Sequence, residues 1–513
     1  MRKWQIKQVP NKKQKPTFQI EDRLFCVPLN LMIRIKSIVA VIIFLSYTFN
    51  GSAQNIVWEA EITVASATIY GNVRPRLALT EDNQPMVIMT RSQNGQIYFT
   101  KGNNGVFSSP IALLPATMQS YIATWTGPDF DAKGDTIVAV FKAKPYDNGH
   151  VYTVRSTDGG LTFSDTIRAD NHDLGLAWMP SMTMDGSGNP IITYMAHDAN
   201  YTNPRYVYVR SNDAGITYSA EQTITSSITG EACDCCPAEM VADGNNQVLL
   251  FRNNELNTRD IYGVYSNDNG ANFISADDVD GSNWVINSCP ASGPHGSIQG
   301  SNLFSTFMSG GTGNEQVFVS RSTLGGSILY QEKQALTVSP SGNQNFPRIA
   351  TENNLVVVAW AEYVSNNLEI FTAFATSNNL IDLTTSHQQA NVLTNGIQTN
   401  PDIRIKDGII HLIYQDATNG KVIYRKGQIG FANLSENDEN KVLLYPNPIS
   451  AGEQINLPES WIGQKIIWRN MMGKTIYVTS EIESGQMITP SLNNGIYFLQ
   501  LENSSIIHKI NLR

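Results

Sequence analysis

Charged side chains are scarce in this sequence. Only 16% of its 513 residues are Asp, Glu, Lys or Arg, against roughly 25% in an ordinary globular domain. This shortage argues against coiled coils and against the charge-rich proteins that bind nucleic acids. From position 54 onward the chain has 27 basic and 43 acidic residues, a negative balance that repels nucleic acid and anionic membrane surfaces. We therefore expect no nucleic-acid partner.

Long apolar runs are also missing, apart from one near the amino terminus. A short basic stretch from Met32 leads into the apolar run Ser37–Phe49 and then into small residues that end at Ala53. This order is typical of a secretory signal peptide, whereas a membrane-spanning helix needs about 20 apolar residues. We predict that residues 1–53 are a leader, that translation starts at Met32, and that the mature chain begins near Gln54. An uncleaved membrane anchor is the alternative.

Helical periodicity is absent over any convincing length, and the middle of the chain repeats instead. Short apolar strands begin just after seven prolines, at intervals of 52 to 57 residues: Pro75, Pro128, Pro180, Pro237, Pro290, Pro347 and Pro401. Further β-rich runs and Gly/Asn/Asp turns follow each of them, as expected for several short strands. Proline suits the first residue of a strand, because no ladder N–H is needed there. The spacing predicts an all-β fold over residues 54–432, a β-propeller of seven blades, or six.

A second motif, Ser-x-Asp-x-Gly-x-(Thr/Asn)-aromatic, occurs at 156–163, 211–218 and 266–273. It resembles the Asp-box (BNR repeat) of the sialidase superfamily. In such a turn the Asp carboxylate accepts backbone N–H bonds and the Gly adopts a positive φ. We therefore interpret three aspartates as structural: Asp158, Asp213 and Asp268. The resemblance implies that these boxes lie on the outer part of the blades, away from a substrate.

The carboxy-terminal residues 441–513 follow a polar, acidic stretch at 433–440, which we interpret as a linker. They contain LYPNP, a Gly-Lys turn, an NGIYF strand and a final strand with a lysine. This combination closely resembles the type A C-terminal sorting domain of the type IX secretion system, which implies that residues 441–513 form a small β-sandwich. The resemblance implies that the type IX secretion machinery is a partner and that the propeller is secreted or displayed on the outer cell surface. The domain would be removed on the way, and attachment to the outer membrane could follow.

The residue after each marker proline is a candidate for a binding site, because side chains from several blades converge where inner strands begin. Four of these residues are charged: Arg76, Asp129, Arg348 and Asp402. The other three are Ser181, Ala238 and Ala291. The charged residues could bind an anionic or polyhydroxyl ligand, since Arg binds carboxylates bidentately. They could equally pair with one another between blades.

The resemblance to sialidases weakens in the catalytic pattern. Sialidases hold the sugar carboxylate with three arginines, and use a tyrosine nucleophile with a glutamate and an aspartic acid. Their first arginine lies in a Phe-Arg-Ile-Pro motif, whereas this chain has Val-Arg-Pro-Arg at 73–76, and no Tyr-Glu pair can be placed. We therefore assign no catalytic residue. If the chain is an enzyme, the resemblance implies a sialidase-like glycoside hydrolase.

Cysteine is rare, and Cys26 belongs to the predicted leader. Four cysteines remain: Cys233, Cys235, Cys236 and Cys289. An even number in an exported chain favours disulfides. Because Cys236 and Cys289 each precede a marker proline, a disulfide between them is plausible if their Cα atoms lie within about 7 Å. The alternatives are a thiolate site for Cu or Zn, with His295 as a further ligand, and redox chemistry at the cysteines.

Residues 251–262 lie between the two cysteine stretches and offer three more candidates for a polar site: Arg252, Arg259 and Asp260. A turn salt bridge is the alternative for this segment. The CxCCP, RD and CPxxGP elements together resemble a group of uncharacterised bacterial sialidase-like proteins. The whole sequence predicts a secreted or cell-surface sialidase-like propeller that binds a glycan, a glycoprotein or another extracellular ligand. An exo-sialidase-type hydrolase and a surface metal-handling protein that uses the cysteines are the alternatives.

Overall fold

The computed structural model describes residues 54–66, 72–173, 175–337, 342–431, 444–470, 473–502 and 507–513. The predicted leader 1–53, with its signal peptide and Cys26, lies outside the described residues, and so does the predicted linker 433–440. Nearly every regular element in these ranges is a strand. The helical elements are single turns at Ala199–Tyr201, Leu380–Asp382, Leu383–Ser386 and Glu459–Trp461. None of the helices in the described ranges is long and apolar enough to span a membrane.

Within the described residues, seven small antiparallel sheets follow one another along the chain, and we number them blades 1 to 7. Blade 1 consists of Asn72–Leu79, Pro85–Arg91, Ile97–Asn103, Val106–Phe107 and Ile111–Ala112. Blade 2 consists of Asp129–Lys133, Thr136–Lys142, Val151–Ser156 and Ile167–Arg168. Blade 3 consists of Leu176–Met184, Pro190–His197, Arg205–Arg210 and Gln222–Thr223.

The remaining blades continue the same up-and-down order. Blade 4 consists of Glu231–Ala232, Glu239–Asp243, Asn246–Asn254, Ile261–Ser266 and Ser275–Asp278. Blade 5 consists of His295–Gln299, Asn302–Ser309, Gln316–Thr323 and Glu332–Ala335. Blade 6 consists of Gln344–Glu352, Leu355–Val364, Asn367–Thr376 and Gln388–Gln389. Blade 7 consists of Gln398–Lys406, Ile409–Asp416, Lys421–Phe431, Gln54–Trp58 and Ile62–Ala65.

The inner strands of successive blades lie side by side, and that of blade 7 lies beside that of blade 1. Blade 7 is completed by the start of the described chain, because Gln54–Trp58 pairs with Lys421–Phe431, with Ile56 opposite Ile429. This pairing covers an edge strand that would otherwise be exposed. A ring of small antiparallel sheets around a central channel is a β-propeller. The predicted all-β propeller fold is thus confirmed.

Each blade is buried on both faces, because it lies between two neighbours. In the second strand of blade 2, Ile137 and Ala139 join an apolar cluster with blade 1, while Val138 and Val140 join a cluster with blade 3. All four side chains are fully buried. Successive side chains of a strand point to opposite faces, so such a strand reads as an unbroken apolar run. Truncating one of its larger side chains to Ala should cost about 2–5 kcal/mol.

Four of the marker prolines lie in β-bulges rather than at the first residue of a strand. In blades 1, 3, 6 and 7 the strand begins earlier, and the pairing register shifts at the proline. The residue before each of these prolines has a positive φ: Arg74 (49°), Met179 (49°), Phe346 (54°) and Asn400 (50°). Because proline has no N–H, it fits the unpaired place that a bulge creates. The prediction that the proline begins the strand is wrong for these four blades.

The marker of blade 5 is Pro294, and the prediction of Pro290 is wrong. The inner strand of this blade is His295–Gln299, directly after Pro294. Pro294 lines the central cavity together with the prolines of other blades. Either proline gives an interval within the repeat's natural range, so spacing alone could not separate them. His295, rather than Ala291, follows the marker.

Three Ser-x-Asp turns join the third strand to the fourth in blades 2, 3 and 4. The Asp158 carboxylate accepts the Thr162 hydroxyl at 2.6 Å and the backbone N–H groups of Leu161 and Thr162 at 3.0 Å each. These bonds hold the pKa of Asp158 well below its usual range. Asp213 and Asp268 accept equivalent backbone bonds. Because strands alternate in direction, these turns lie at the end of the propeller opposite to the marker prolines.

Residues 444–513 form two small sheets of their own. One pairs Gln454–Asn456 with Gln486–Ile488, and the other has the order Thr475–Val478, Ile466–Arg469, Gly495–Leu501, Ile507–Leu512. Their shared core contains the fully buried side chains of Trp468, Leu499 and Ile510. The NGIYF motif forms the start of the central strand.

Candidate ligand site at the mouth of the central channel

One side chain per blade occupies an equivalent place on the inner strands, and we call these the ring residues: Arg76, Asp129, Ser181, Glu239, His295, Arg348 and Asp402. Glu239 belongs to this set because it lies opposite Leu250 in the same way that Asp129 lies opposite Val140. Blade 4 therefore has one residue more than the other blades between its proline and the ring position. The sequence prediction of Ala238 for this place is wrong.

Several ring residues tie their blade to the next one. Each accepts the backbone N–H of the residue that follows the neighbouring ring residue: Asp129 from Met182 at 3.1 Å, Ser181 from Met240 at 3.1 Å, His295 from Ile349 at 3.2 Å, and Asp402 from Leu77 at 2.9 Å. The repetition of this bond also supports the placement of Glu239. Part of the predicted candidate set thus holds the blades together.

An open cavity lies where the inner strands begin, and we call it the channel mouth. Its lining includes three arginines, Arg74, Arg76 and Arg348, and two carboxylates, Asp129 and Glu239. With both carboxylates ionised, the lining still has one positive charge in excess. A local positive pocket in an acidic protein attracts anions.

Two of the arginines form loose ion pairs. Arg76 is 4% exposed, and its Nε lies 3.9 Å from an Asp129 oxygen. The Arg348 Nη1 lies 3.3 Å from a Glu239 oxygen. Good charge-assisted hydrogen bonds are about 2.7–2.9 Å long, so both contacts to the carboxylates are longer than optimal, and Arg76 uses one further donor, its Nη1, for the Pro75 carbonyl at 3.0 Å. Both retain donors for a ligand.

Arg74 is the third arginine, and it lies in the bulge of blade 1. Its Nη1 donates to the carbonyl of Thr124 at 2.9 Å. Its Nε, and the indole Nε1 of Trp125 in the same lining, are buried without a hydrogen-bond partner among the described residues. Buried donors in native proteins nearly always have an acceptor. Two unsatisfied donors beside a cavity favour a ligand that brings acceptor oxygens.

Glu239 can change its protonation near neutral pH. Burial raises the pKa of Glu239 to about 7, and Asp129 adds to this rise while Arg348 opposes it. Burial and the neighbouring Arg348 lower the pKa of Arg76 to about 10, so Arg76 stays charged at neutral pH. The Nε2 of His295 lies 3.3 Å from Glu239. Burial, followed by the surrounding arginines, holds the pKa of His295 well below its usual range, so this imidazole is neutral.

Asp402 follows two residues that line the channel mouth but does not itself line it, and it belongs to the structural part of the ring. It is fully buried and pairs with Arg404 at 2.8 Å. Burial alone would raise the pKa of Asp402, but Arg404 and its neighbours outweigh this effect and lower it. Arg404 lines a second cavity further along the channel, together with Asp131.

Sequence reasoning missed Arg74, Glu239 and Arg404. Residues two apart on a strand share a face, so Arg404 could have been found from its place two residues after Asp402. Counting from the proline does not find Glu239, because blade 4 has an extra residue, and it does not find Arg74, because that residue lies in a bulge. These two irregularities leave no clear mark in the sequence.

The candidates in residues 251–262 lie outside both cavities. Arg252 is fully buried, and its guanidinium donates to three backbone carbonyls. The Asp260 carboxylate accepts two backbone N–H groups, from Asn283 at 2.6 Å and from Trp284 at 2.9 Å. These contacts hold loops around blade 4 in place. Arg259 instead contacts a cysteine.

The disulfide joins Cys235 to Cys289, with their Cα atoms 6.2 Å apart. The predicted Cys236–Cys289 pairing is wrong, because Cys236 is fully buried and its Sγ lies 2.7 Å from that of Cys233. Among the described residues, Cys233 and Cys236 are the free cysteines. The disulfide itself connects the segments that lead into blades 4 and 5.

A metal at this cluster stays a prediction. The sulfurs of Cys233, Cys235 and Cys236 lie within 4.8 Å of one another, which is suitable for a thiophilic cation. The closed disulfide, however, leaves two thiols, and a structural zinc site takes four ligands. The predicted further ligand, His295, contacts Glu239 instead. Only the reduced cluster could therefore bind zinc, and a lack of copper and zinc in protein purified under reducing conditions would contradict the metal alternative.

Comparison with known proteins identifies the carboxy-terminal domain. Residues 443–512 match the family model described as the secretion system C-terminal sorting domain. No curated protein matches the chain. Similar solved structures include a protein of unknown function from Dyadobacter fermentans, with 11% identity, a TM-score of 0.43, and coverage of 73% of this chain and 100% of that one.

Two further solved structures are enzymes. The α-L-arabinanase of Penicillium chrysogenum has 11% identity and a TM-score of 0.43, with coverage of 72% of this chain and 98% of that one. The intramolecular trans-sialidase of Ruminococcus gnavus has 11% identity and a TM-score of 0.39, with coverage of 72% and 98%.

The chain is thus a β-propeller that carries a secretion sorting domain. This domain indicates that the type IX secretion machinery handles the protein, which is secreted or located at the outer surface. The predictions of the sorting domain, of this partner and of the localisation are confirmed.

Proposed function

We propose that the exported propeller is a binding protein whose channel mouth takes an extracellular ligand with carboxylate groups, such as an acidic glycan or glycoprotein. The observation that carries this proposal is the convergence of Arg74, Arg76 and Arg348 on one cavity. The unsatisfied donors on Arg74 and Trp125 add to it. Guanidinium groups match carboxylates in shape and charge.

Aromatic side chains at the same end of the propeller favour a saccharide over a small inorganic anion. The ring of Tyr146 lies 5.2 Å from that of Tyr121 and 5.3 Å from that of Trp178. Tyr121 and Trp125 belong to one loop, and Trp125 lines the channel mouth. Partly exposed tyrosines combine an apolar face with a polar hydroxyl, which suits the mixed surface of a sugar.

A glycoside hydrolase of sialidase type is the second candidate. Glu239 favours it, because a carboxyl group with a raised pKa can act as a general acid. A sialidase-type nucleophile would be a tyrosine, and the described lining of the channel mouth contains no tyrosine. Binding without turnover is therefore better supported.

Calorimetric titration of the purified mature chain tests the proposal. Sialyllactose and a glucuronic-acid disaccharide should bind, and neutral lactose should bind more weakly. Arg76→Met and Arg348→Met should each weaken the acidic ligands at least about tenfold, or about 1.4 kcal/mol. Lys133→Met is the matched control, because Lys133 is an exposed cation at the far end of an inner strand.

Equal affinity for neutral and acidic sugars, or unchanged affinity in both arginine variants, would contradict the proposal. Mass spectrometry of the same mixtures measures free sugar. Release above that of a heat-denatured sample would favour the hydrolase over the binding protein.

A further inference from the structure

We propose that the four cysteines beside the channel mouth form a thiol–disulfide exchange site, in which the exposed Cys235–Cys289 disulfide and the buried Cys233/Cys236 dithiol interconvert. Its substrates are low-molecular-weight disulfides and thiols, which reach it through Cys289. This inference does not depend on the proposed ligand at the channel mouth.

The positions of the sulfur atoms carry the proposal. The Sγ of Cys233 lies 3.6 Å from that of Cys235, which belongs to the disulfide, and 2.7 Å from that of Cys236. The Cys236 N–H donates to the Cys233 carbonyl at 3.2 Å, in a turn that brings this C-x-x-C pair together. Cys233 therefore contacts both the sulfur it would attack and the sulfur that would attack it in turn. Exchange proceeds by attack of a thiolate on a disulfide sulfur.

Arg259 supports a thiolate on Cys233. Its Nη1 lies 3.1 Å from the Cys233 Sγ. The hydrogen bond from Cys236 is the largest influence, and with Arg259 it outweighs burial and lowers the pKa of Cys233 to about 7. Burial raises the pKa of Cys236 well above its usual value. The guanidinium beside its sulfur and its contact with the Cys235 sulfur thus make Cys233 the nucleophile of the first step, and Cys236 is the second thiol. A nearby cation is the usual means of activating a cysteine.

The exchange has two steps and needs no added oxidant. In the first step the Cys233 thiolate attacks the Cys235 sulfur, so that the Cys233–Cys235 bond forms and the Cys235–Cys289 bond breaks. Cys289 leaves as a thiolate and takes a proton from solvent. In the second step Cys236 loses its proton and attacks Cys233, which forms the Cys233–Cys236 bond. Cys235 leaves as a thiolate and accepts the proton.

The product is an isomer with two thiols at the accessible end of the cluster. Cys289 is exposed, so its thiolate can attack a small external disulfide and release one small thiol. Cys235 then attacks the mixed disulfide on Cys289 and releases the second small thiol. This step restores the Cys235–Cys289 bond, while the Cys233–Cys236 bond remains. The reverse sequence oxidises two small thiols to a disulfide.

Peptide mapping of the full secreted chain tests the exchange. The folded protein is reduced with dithiothreitol, freed of reductant, and given one molar equivalent of oxidised glutathione, which supplies one disulfide per chain. Samples are quenched with acid at intervals, alkylated in denaturant and digested with trypsin. Cleavage after Arg210, Arg252, Arg259 and Arg321 puts Cys233, Cys235 and Cys236 on peptide 211–252 and Cys289 on peptide 260–321.

The two isomers then differ in connectivity and share the same number of alkyl labels. The Cys235–Cys289 isomer gives the two peptides linked together, and the Cys233–Cys236 isomer gives them apart. We expect the wild-type chain to show both isomers. The ratio of linked to separate peptides should change with time at first and then stay constant. Cys233→Ser should show only the linked peptides. Arg259→Met should slow the approach to the final ratio by about tenfold through its effect on the thiolate, and Arg259→Lys should restore most of the rate.

Two results would overturn the proposal. One is a wild-type chain in which the peptides stay linked in every sample between pH 6 and pH 9. The other is a Cys233→Ser chain in which they separate as they do in the wild type. The first result needs no variant, so a substitution that impairs folding cannot conceal it.

Discussion

Replacement of Glu239 by glutamine should make the folded chain more stable above neutral pH. Burial raises the pKa of Glu239 from 4.5 to about 7, so the folded state keeps a proton that the unfolded chain has lost. Between these pH values the folded state binds more protons, and the unfolding free energy therefore falls as the pH rises. One pKa unit corresponds to about 1.4 kcal/mol, so the whole fall amounts to about 3 kcal/mol. Glutamine has no charge to bury and keeps an acceptor for Arg348.

Thermal unfolding of wild-type and Glu239→Gln protein from pH 5 to pH 8 measures this difference. The two proteins should unfold at similar temperatures at pH 5. At pH 8 the unfolding temperature of the variant should be about 3 °C higher than that of the wild type, given the unfolding entropy of a unit of this size. Asp243→Asn is the matched control, because Asp243 ends the same strand and is exposed. Parallel curves for wild type and Glu239→Gln over the whole range would refute the reasoning.

Three further predictions concern the ring, a surface turn and export. Asp402→Ala should lower the unfolding free energy measured in urea by about 2 kcal/mol, because it leaves the buried N–H of Leu77 without its acceptor and the half-buried Arg404 without its carboxylate partner; Asp402→Asn, which keeps an acceptor, should cost less. Asp158→Ala should speed amide hydrogen exchange at Thr162, whose N–H it releases, while exchange in the other two Ser-x-Asp turns should not change. Deletion of 444–513 should keep the protein inside a bacterium that has type IX secretion, as judged by blotting of cells and medium; normal export of the truncated chain would contradict the sorting role.

The sequence was sufficient for the fold class because a propeller repeats one structural unit. Each inner strand has a proline at or near its start, so the six similar intervals between seven prolines identify the architecture without any homologue. The predicted positions of individual residues were wrong where one repeat departs from the others. Blade 5 offers both Pro290 and Pro294, and only the paired strand His295–Gln299 decides between them.

The candidate site was predictable only in part for the same reason. Counting one residue past each proline found Arg76, Asp129 and Arg348, which line the channel mouth. The same count gave Ala238 in place of Glu239, because blade 4 has an extra residue there. The prediction of the disulfide pairing was wrong for a different reason. Cys235 and Cys236 are neighbours, and which of them faces Cys289 depends on the turn that buries Cys236, which sequence spacing does not determine.

Because strand direction alternates, the two ends of the propeller carry different features. The Ser-x-Asp turns join third to fourth strands and therefore lie at one end, where their hydrogen bonds are satisfied within each turn. The segments that enter the inner strands lie at the other end, and they carry both the arginines of the channel mouth and the cysteine cluster. Cys236 directly precedes Pro237, which lines that cavity. A change of disulfide partner at the cysteines would thus occur one residue from the proposed ligand site, so affinity for the proposed acidic ligand is the property in which such a change should first be measured.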